Sequence, residues 1–305
     1  MFEGIFTPIA TPFSDDEGID YEGMRHNLER WMKTDLEGLV VLGSNGEFVF
    51  LSEAEKEELV GWVVERVSGR KKVMAGTGCE STQATIELTR RMARLGVDAV
   101  LVLPPHYYRG RMTDEILYRH FTEVAEASSI PLFLYNMPAN TGIHLSASLV
   151  ARLSRHPNIV GIKDTSGNIV HLAEVVRDTA DDFAVFAGNA GYLLPALALG
   201  AKGATLALAN LLPEDCCRLY GWVREGRLEE AQRLQLRMLE INFLVTSGLG
   251  VPALKYAMDL LGYRGGSPRR PLRPLAESER KRVKEALVRY GALELDTPCS
   301  KEQGP

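Results

Sequence analysis

The sequence predicts a (β/α)₈ barrel, a TIM barrel, followed by a C-terminal helical appendage. Three observations predict it. Eight short apolar runs recur along the chain, each ending in Gly, Pro, Ser or Asn. Continuous apolar runs of this length suit strands buried on both faces, as in parallel sheets. Amphipathic patterns with helix start and stop signals lie between the runs, and past Leu228 the strand signals cease. Eight β-then-α units fit closure into a barrel. A doubly wound sheet is the structural alternative, but the chain carries no obvious nucleotide fingerprint.

The runs are, in order, "GIFTPIATPF" from Gly4, "GLVVLGS" from Gly38, "KVMAGTG" from Lys72 and "VDAVLVLPP" from Val97. Then come "IPLFLYNMP" from Ile130, "IVGIKDTSG" from Ile159, "FAVFAGN" from Phe183 and "GATLALAN" from Gly203. Between the second and third, Ser52 and Glu55 form a capping-box signature before an apolar stripe. The next helical pattern starts at Ser81 and stops at Gly96, and "TDEILYRHFTEVAEAS" and "LSASLVARLSRHP" continue the alternation. Residues 1–228 read as the barrel catalytic domain and residues 229–305 as a three-helix segment with a flexible tail, "ELDTPCSKEQGP". The last two helices are separated by the turn-rich "GGSPRRPLRP".

Bulk composition narrows the function classes. The 305 residues are 45% hydrophobic and 25% charged, which is ordinary for a globular chain. A net charge of −5 gives no electrostatic footprint for nucleic acid. Cys79, Cys216, Cys217 and Cys299 show neither C-x-x-C pairing nor zinc-finger spacing, which reads as reduced thiols in a cytoplasmic protein. The start, "MFEGIFTPIATPF", does not read as a signal peptide. The most apolar stretch, Phe183 to Leu212, is interrupted too often by Gly, Asn and Lys to span a membrane. The histidines are scattered, and no converging metal-ligand set can be assembled, so neither metal nor cofactor is expected.

In barrels of this kind the chemistry sits at the C-terminal ends of the strands. Those ends carry Ser44 and Asn45 in "GSNGEF", Tyr107 and Tyr108 in "PPHYYRGR", and Tyr135 and Asn136 in "LYNMPANTG", with Asn140 beyond. They also carry Lys163 and Thr165 in "GIKDTSG", Gly188 and Asn189, and Asn210. Lysine is rarely buried unless it is paired or reactive. At a strand end it can form a Schiff base with a ketone, and the iminium then stabilises the carbanion left when an adjacent C–C bond breaks. The amine must be neutral to attack, and an apolar barrel floor disfavours the ammonium form. Tyr135, on the preceding strand, can supply the proton shuttle. Thr165, two residues after Lys163, points to the same face if the strand geometry persists. The "GSNGE" turn, with Ser44, Asn45 and Gly46, offers a hydroxyl and backbone N–H groups to cradle a carboxylate. Each of these residues alone has an ordinary structural reading; their joint placement suits a 2-oxo acid handled through an imine.

"GSNGE", "YYRG", "YNMPANTG" and "GIKDTSGN" resemble the N-acetylneuraminate lyase and dihydrodipicolinate synthase superfamily of lysine-dependent class I aldolases. The resemblance runs from "GIFTPIATPF" to the helical C-terminus. It implies a pyruvate-handling enzyme with Lys163 as the Schiff-base residue and Tyr135 as acid/base. It also implies a proton relay through Ser44, aided by a tyrosine of a neighbouring subunit, Tyr107, in a homotetramer built as a dimer of dimers. No cofactor is implied beyond the covalent lysine imine. Asn45, Gly46, Thr165, Asn140, Gly188 and Asn189 are the implied substrate-binding residues.

Details within the superfamily point to one branch. Dihydrodipicolinate synthases usually carry two threonines where this chain has Ser44 and Asn45, and an arginine where it has Asn140. "GSNGEF", "HYYRGRM" and "PANTG" look more like 4-hydroxy-2-oxoglutarate aldolase, although Thr165 stands where serine is usual. The expectation is therefore a lyase that cleaves a 4-hydroxy-2-oxo acid to pyruvate and an aldehyde. The alternatives are dihydrodipicolinate synthase and a 2-keto-3-deoxy sugar-acid aldolase or dehydratase. A binding protein without turnover would have been favoured by loss of Lys163, Tyr135 or Ser44, and all three are present. Arg109 and Arg111 lie near enough to the fourth strand end to be candidates for a distal carboxylate.

Overall fold

The computed structural model describes residues 2–294. The predicted tail from Glu294 onward lies, apart from Glu294 itself, outside the described residues, as does Cys299.

Eight parallel strands close into a barrel in sequence order. They are β1 (Gly4–Pro8), β2 (Gly38–Val41), β3 (Lys72–Gly76), β4 (Ala99–Val102), β5 (Leu132–Asn136), β6 (Ile159–Asp164), β7 (Ala184–Ala187) and β8 (Gly203–Thr205). Every predicted run contains one of them. Between strands lie α1 (Tyr21–Trp31), α2 (Glu53–Val67), α3 (Thr82–Arg94), α4 (Asp114–Ala127), the short α5 (Pro138–Thr141), α6 (Ala147–Leu153), α7 (Ile169–Asp178) and α8 (Leu193–Ala198). The helix after β8 is α9 (Pro213–Arg224), and α10 (Leu228–Phe243), α11 (Gly250–Leu260) and α12 (Glu277–Tyr290) follow. The expected capping box on α2 is formed, with Ser52 Oγ accepting from Glu55 N–H and the Glu55 carboxylate accepting from Ser52 N–H.

Two cores result from the alternation of strand side chains. Outward positions such as Leu39, Val41, Leu134 and Ile162 pack under the helices. Inward positions such as Phe6, Met74, Leu101, Phe133 and Phe186 fill the barrel. Phe6 and Phe133 each lie 5.5 Å, centroid to centroid, from Phe186. These rings fit because glycines stand beside them. A Cβ on Gly38 would come within 2.3 Å of the Phe6 ring, and one on Gly161 within 2.4 Å of the Phe133 ring. The barrel is thus plugged below its C-terminal rim by an apolar aromatic layer, and Gly161 sits two residues before Lys163 on the same inward face.

Past the barrel, a π-helical turn at Leu244–Gly248 separates α10 from α11. Turns of this type cluster at functional sites, and this one faces the barrel mouth. No described helix is long and apolar enough to cross a membrane.

The aromatic plug yields a stability prediction. The Gly161→Ala methyl would also lie 2.5 Å from the Ala184 carbonyl oxygen, which is backbone and cannot swing away. We expect Gly161→Ala to cost about 1–3 kcal/mol or more by overpacking. Gly221→Ala, in α9 where nothing lies within 4 Å, is the control and should be neutral or slightly stabilising. Urea unfolding of both variants, with equal midpoints for the two, would contradict this account of the plug.

Candidate active site

A cavity of about 530 Å³ opens at the C-terminal end of the barrel. Lys163 rises from β6 into its floor and is only 4% exposed. Tyr135 is its register partner on β5. Lys163 Nζ lies 3.0 Å from Tyr135 Oη and 4.1 Å from the centre of the phenol ring. Burial alone would raise the Tyr135 phenol. The charge and hydrogen bond of Lys163, with hydrogen bonds from Ser44 and Thr165, outweigh that and leave it below the usual tyrosine range. The half-buried Tyr192 shows the opposite: desolvation, with the Asp164 charge adding to it, pushes its phenol well above that range.

The site residues expected from the sequence divide into three groups. Ser44, Asn45, Tyr135, Asn140, Lys163, Thr165, Gly188 and Asn189 line the cavity together. Thr165 keeps the inward face although β6 ends at Asp164, because its N–H and Oγ1 both donate to the Asn136 carbonyl at 2.9 Å. Gly188 brings β7 close: its N–H donates to Asp164 O at 2.6 Å, and a Cβ there would sit 2.7 Å from the same oxygen. Asn189 Oδ1 accepts from Gly191 N–H and from Asn242 Nδ2, both at 2.8 Å. With its oxygen used twice, Asn189 keeps its NH₂ group as the donor left for a further partner.

Gly46 departs from expectation. It is buried under the turn, where its carbonyl accepts from Thr11 Oγ1 at 2.9 Å, and it does not line the cavity. The N–H groups of Gly46 and Glu47 bond back to Gly43 O and Ser44 O inside a 3₁₀ turn. Of the three turn residues expected to cradle a carboxylate, only Ser44 and Asn45 line the cavity. Tyr107 also lies outside the chain's own cavity. It is 77% exposed, edge-on to the 72% exposed Tyr108 at 5.0 Å between ring centres. Arg109 and Arg111 are exposed as well and do not line the cavity. Asn210 clasps the barrel seam, donating to Pro8 O and Ala207 O and accepting from Ala10 N–H.

Two residues that shape the site were not read from the sequence. Glu47, at the wall of the cavity, holds a left-handed backbone conformation (φ 55°). Its carboxylate is buried 2.5 Å from Lys255 Nζ on α11 and accepts from Arg269 N–H at 2.9 Å. Lys255, 1% exposed, also donates to Ser267 O at 2.9 Å. The C-terminal segment is thereby fastened to the second-strand turn. Glu47 stood in the "GSNGE" motif, but its partner is far along the chain and no local pattern marks it.

An amine and an acidified phenol side by side on a buried floor, with hydroxyl and amide groups around them, suit imine chemistry on a small 2-oxo acid. Residues 1–289 match the Dihydrodipicolinate synthetase family. The chain belongs to that family. It is accordingly a pyruvate-dependent enzyme of the class I aldolase type, acting on carbon–carbon bonds, and the family works through a lysine imine. The chain is 38% identical over 297 residues to the 4-hydroxy-tetrahydrodipicolinate synthase of Methanothrix thermoacetophila, covering 96% of this chain and 98% of the relative. The synthase of the same name from Archaeoglobus fulgidus is 36% identical over 94% of this chain and 98% of its own. Among solved structures, the chloride-inhibited dihydrodipicolinate synthase of Acinetobacter baumannii, complexed with pyruvate, superposes with a TM-score of 0.92. It is 30% identical and the match covers 96% of this chain and 100% of that one. These relatives carry the name of the synthase, which the sequence left as an alternative, and not of 4-hydroxy-2-oxoglutarate aldolase, the branch that the motifs favoured.

The acidified phenol is open to titration. We expect an ultraviolet difference titration to show one tyrosine ionising below the usual range, and Tyr135→Phe to remove that step. Lys163→Met takes away the charge that lowers it while burial remains, so the step should move up in pH. A first ionisation unchanged in both variants would assign it to another tyrosine.

Proposed function

We propose that this enzyme joins pyruvate to an aldehyde, or separates the two in reverse, through an imine on Lys163. The observation that supports this is the buried Lys163 Nζ–Tyr135 Oη pair at 3.0 Å beneath a cavity ringed by Ser44, Asn45 and Asn189. In this reading the lysine amine attacks the ketone carbon of pyruvate, and Tyr135 moves the protons needed to expel water from the carbinolamine. The iminium then releases a methyl proton to give the enamine, which attacks the aldehyde carbon; cleavage runs the same steps backwards. Ser44, bonded to the Tyr135 phenol, relays protons. Tyr107 serves the relay of a neighbouring copy in a homotetramer, which is consistent with its exposure outside its own cavity.

The names of the relatives support aspartate semialdehyde as the aldehyde, making the chain a 4-hydroxy-tetrahydrodipicolinate synthase. One observation favours a second reading. The distal wall presents Asn140 where an arginine would fix the far carboxylate of that substrate, and neither Arg109 nor Arg111 reaches the cavity. A charge-assisted hydrogen bond contributes about 1.5–3 kcal/mol, so its loss weakens selection roughly 10- to 150-fold. On that ground the second reading is cleavage of 4-hydroxy-2-oxoglutarate or a close 4-hydroxy-2-oxo acid.

Two experiments test these statements. Lys163→Ala should abolish the adduct trapped by borohydride with pyruvate, while Tyr135→Phe should lower turnover about 10²–10⁴-fold and still permit slow trapping. An undiminished adduct in Lys163→Ala would remove the lysine from the mechanism. For the aldehyde, kcat/KM is compared for condensation with aspartate semialdehyde and for cleavage of 4-hydroxy-2-oxoglutarate on one preparation. Efficient condensation with negligible cleavage establishes the synthase; the reverse establishes the aldolase, and Asn140→Arg should then raise the condensation activity.

A further inference from the structure

β6 turns Lys163 inward and Asp164 outward, and the outward side holds a buried polar group of its own. Asp164 and His171 are 2% and 4% exposed. His171, in the first turn of α7, has an oxygen against each ring nitrogen. Nδ1 lies 2.7 Å from Asp164 Oδ2 and Nε2 lies 2.9 Å from the Leu145 carbonyl oxygen. A carbonyl only accepts, so Nε2 carries a proton. The other carboxylate oxygen, Asp164 Oδ1, accepts from Ser166 N–H at 2.7 Å and from Asn136 Nδ2 at 3.2 Å. Two donors on that oxygen favour the ionised carboxylate. An ionised carboxylate only accepts, so Nδ1 carries a proton too, and the ring is an imidazolium.

From this geometry we infer that the His171 imidazolium is a positioning residue for the imine chemistry, clamping the strand end that carries Lys163 to the one that carries Tyr135 only while it is doubly protonated. The inference rests on the imine reading above. The clamp can be followed bond by bond. Asn136, next to Tyr135, donates to Asp164, and its Oδ1 accepts from Leu145 N–H at 3.0 Å. The Asn136 carbonyl holds Thr165, and the Asp164 carbonyl accepts from Gly188 N–H and from Tyr192 Oη at 2.7 Å. His171 closes this circuit by joining Asp164 of β6 to Leu145, which follows β5 and α5. If it loses a proton, one of its two bonds fails and the Asp164 charge is left buried without its cation.

The charges around the ring are accounted for on every side. Asp164 faces it from β6 and Glu174 from its own helix. His144, in the loop with Leu145, meets the ring edge-on at 4.3 Å between centres and accepts from Asn136 Nδ2 at 3.3 Å. Burial, then the His171 charge, push His144 below the usual histidine range, with Asp164 and Asp114 opposing. For His171 itself burial acts downward, but the Asp164 bond and charge outweigh it and hold the ring above that range. The sign follows: the clamp is complete below the ordinary histidine value of about 6.5 and is lost as pH rises through the higher folded value.

Two measurements test the clamp. The first is two-bond proton–nitrogen correlation on full-length protein labelled in its histidines, at neutral pH. We expect one ring protonated on both nitrogens, its signal absent from His171→Leu; a neutral tautomer for His171 overturns the inference. The second is the rate of borohydride capture of the pyruvate imine across neutral to alkaline pH, for the parent, His171→Leu and His171→Arg. Leucine should slow capture roughly 10²-fold, the usual effect of a small misplacement. Arginine, permanently charged and forked, should rescue the rate. The ratio of His171→Arg to parent should rise with pH, because only the parent loses its cation, a change that mere loss of packing does not produce. A folded His171→Leu with the parent's capture rate, or a ratio independent of pH, overturns the proposal. If neither variant folds, the protonation signature alone decides it. If the parent forms no pyruvate adduct at all, the imine reading fails instead, and the signature still reports on the cation.

Discussion

Closing eight parallel strands into one ring sends alternate side chains inward, and the rest of the structure depends on what fills that interior. Here it is filled by Phe6, Phe133 and Phe186, admitted by glycines on neighbouring strands. The filling does more than hold the barrel open. Two residues beyond Phe133 comes Tyr135, and two beyond Gly161 comes Lys163, in register on adjacent strands. The same alternation that builds the plug therefore delivers a phenol and an amine side by side, both buried, onto an apolar aromatic layer. In such surroundings a hydrogen bond between them is electrostatically stronger than it would be in solvent.

Among the described residues two lysines are buried near the mouth, and their surroundings differ. Lys255 faces the Glu47 carboxylate and the Ser267 carbonyl, with the Phe13 ring 4.3 Å away. A lysine satisfied in this way is a fastener; removing it would strand a buried carboxylate at a cost of about 3–5 kcal/mol. Lys163 faces a phenol and an open cavity. Arg269 extends the fastening, reaching Phe50 O, the Glu55 carboxylate and the backbone of Glu17, with its N–H on Glu47. The turn that carries Ser44 and Asn45 is in this way shaped from behind by residues near the other end of the sequence.

The features legible in the sequence were those with short-range signatures. All eight strands were marked by apolar runs and their stops, and the start of α2 by its capping box. Lys163 was legible because a charged residue ending an apolar run is chemically anomalous. Gly46 was misread because a loop sequence does not reveal which of its N–H groups close the turn. Glu47, Lys255 and Arg269 escaped because their meaning lies in partners some two hundred residues apart. His171 escaped for a related reason: at a buried helix position it fits an amphipathic pattern, and only the folded chain brings Asp164 and Leu145 against its two nitrogens. The aldehyde was the least legible of all, because Asn140 is a statement about an absent charge.

The fastening of the mouth by α11 and the segment after it has a consequence for biosynthesis. Once β8 has been made, the growing chain already contains Lys163, Tyr135 and Ser44, and the ring can close. Glu47 then has no Lys255 to meet, and the π-helical turn that walls the cavity does not yet exist. A protein stopped there would hold the Lys163–Tyr135 pair proposed to react and lack part of the wall around it. Competence should arrive late on the ribosome, when α11 and Arg269 emerge, so that truncated products are released with an unfinished pocket.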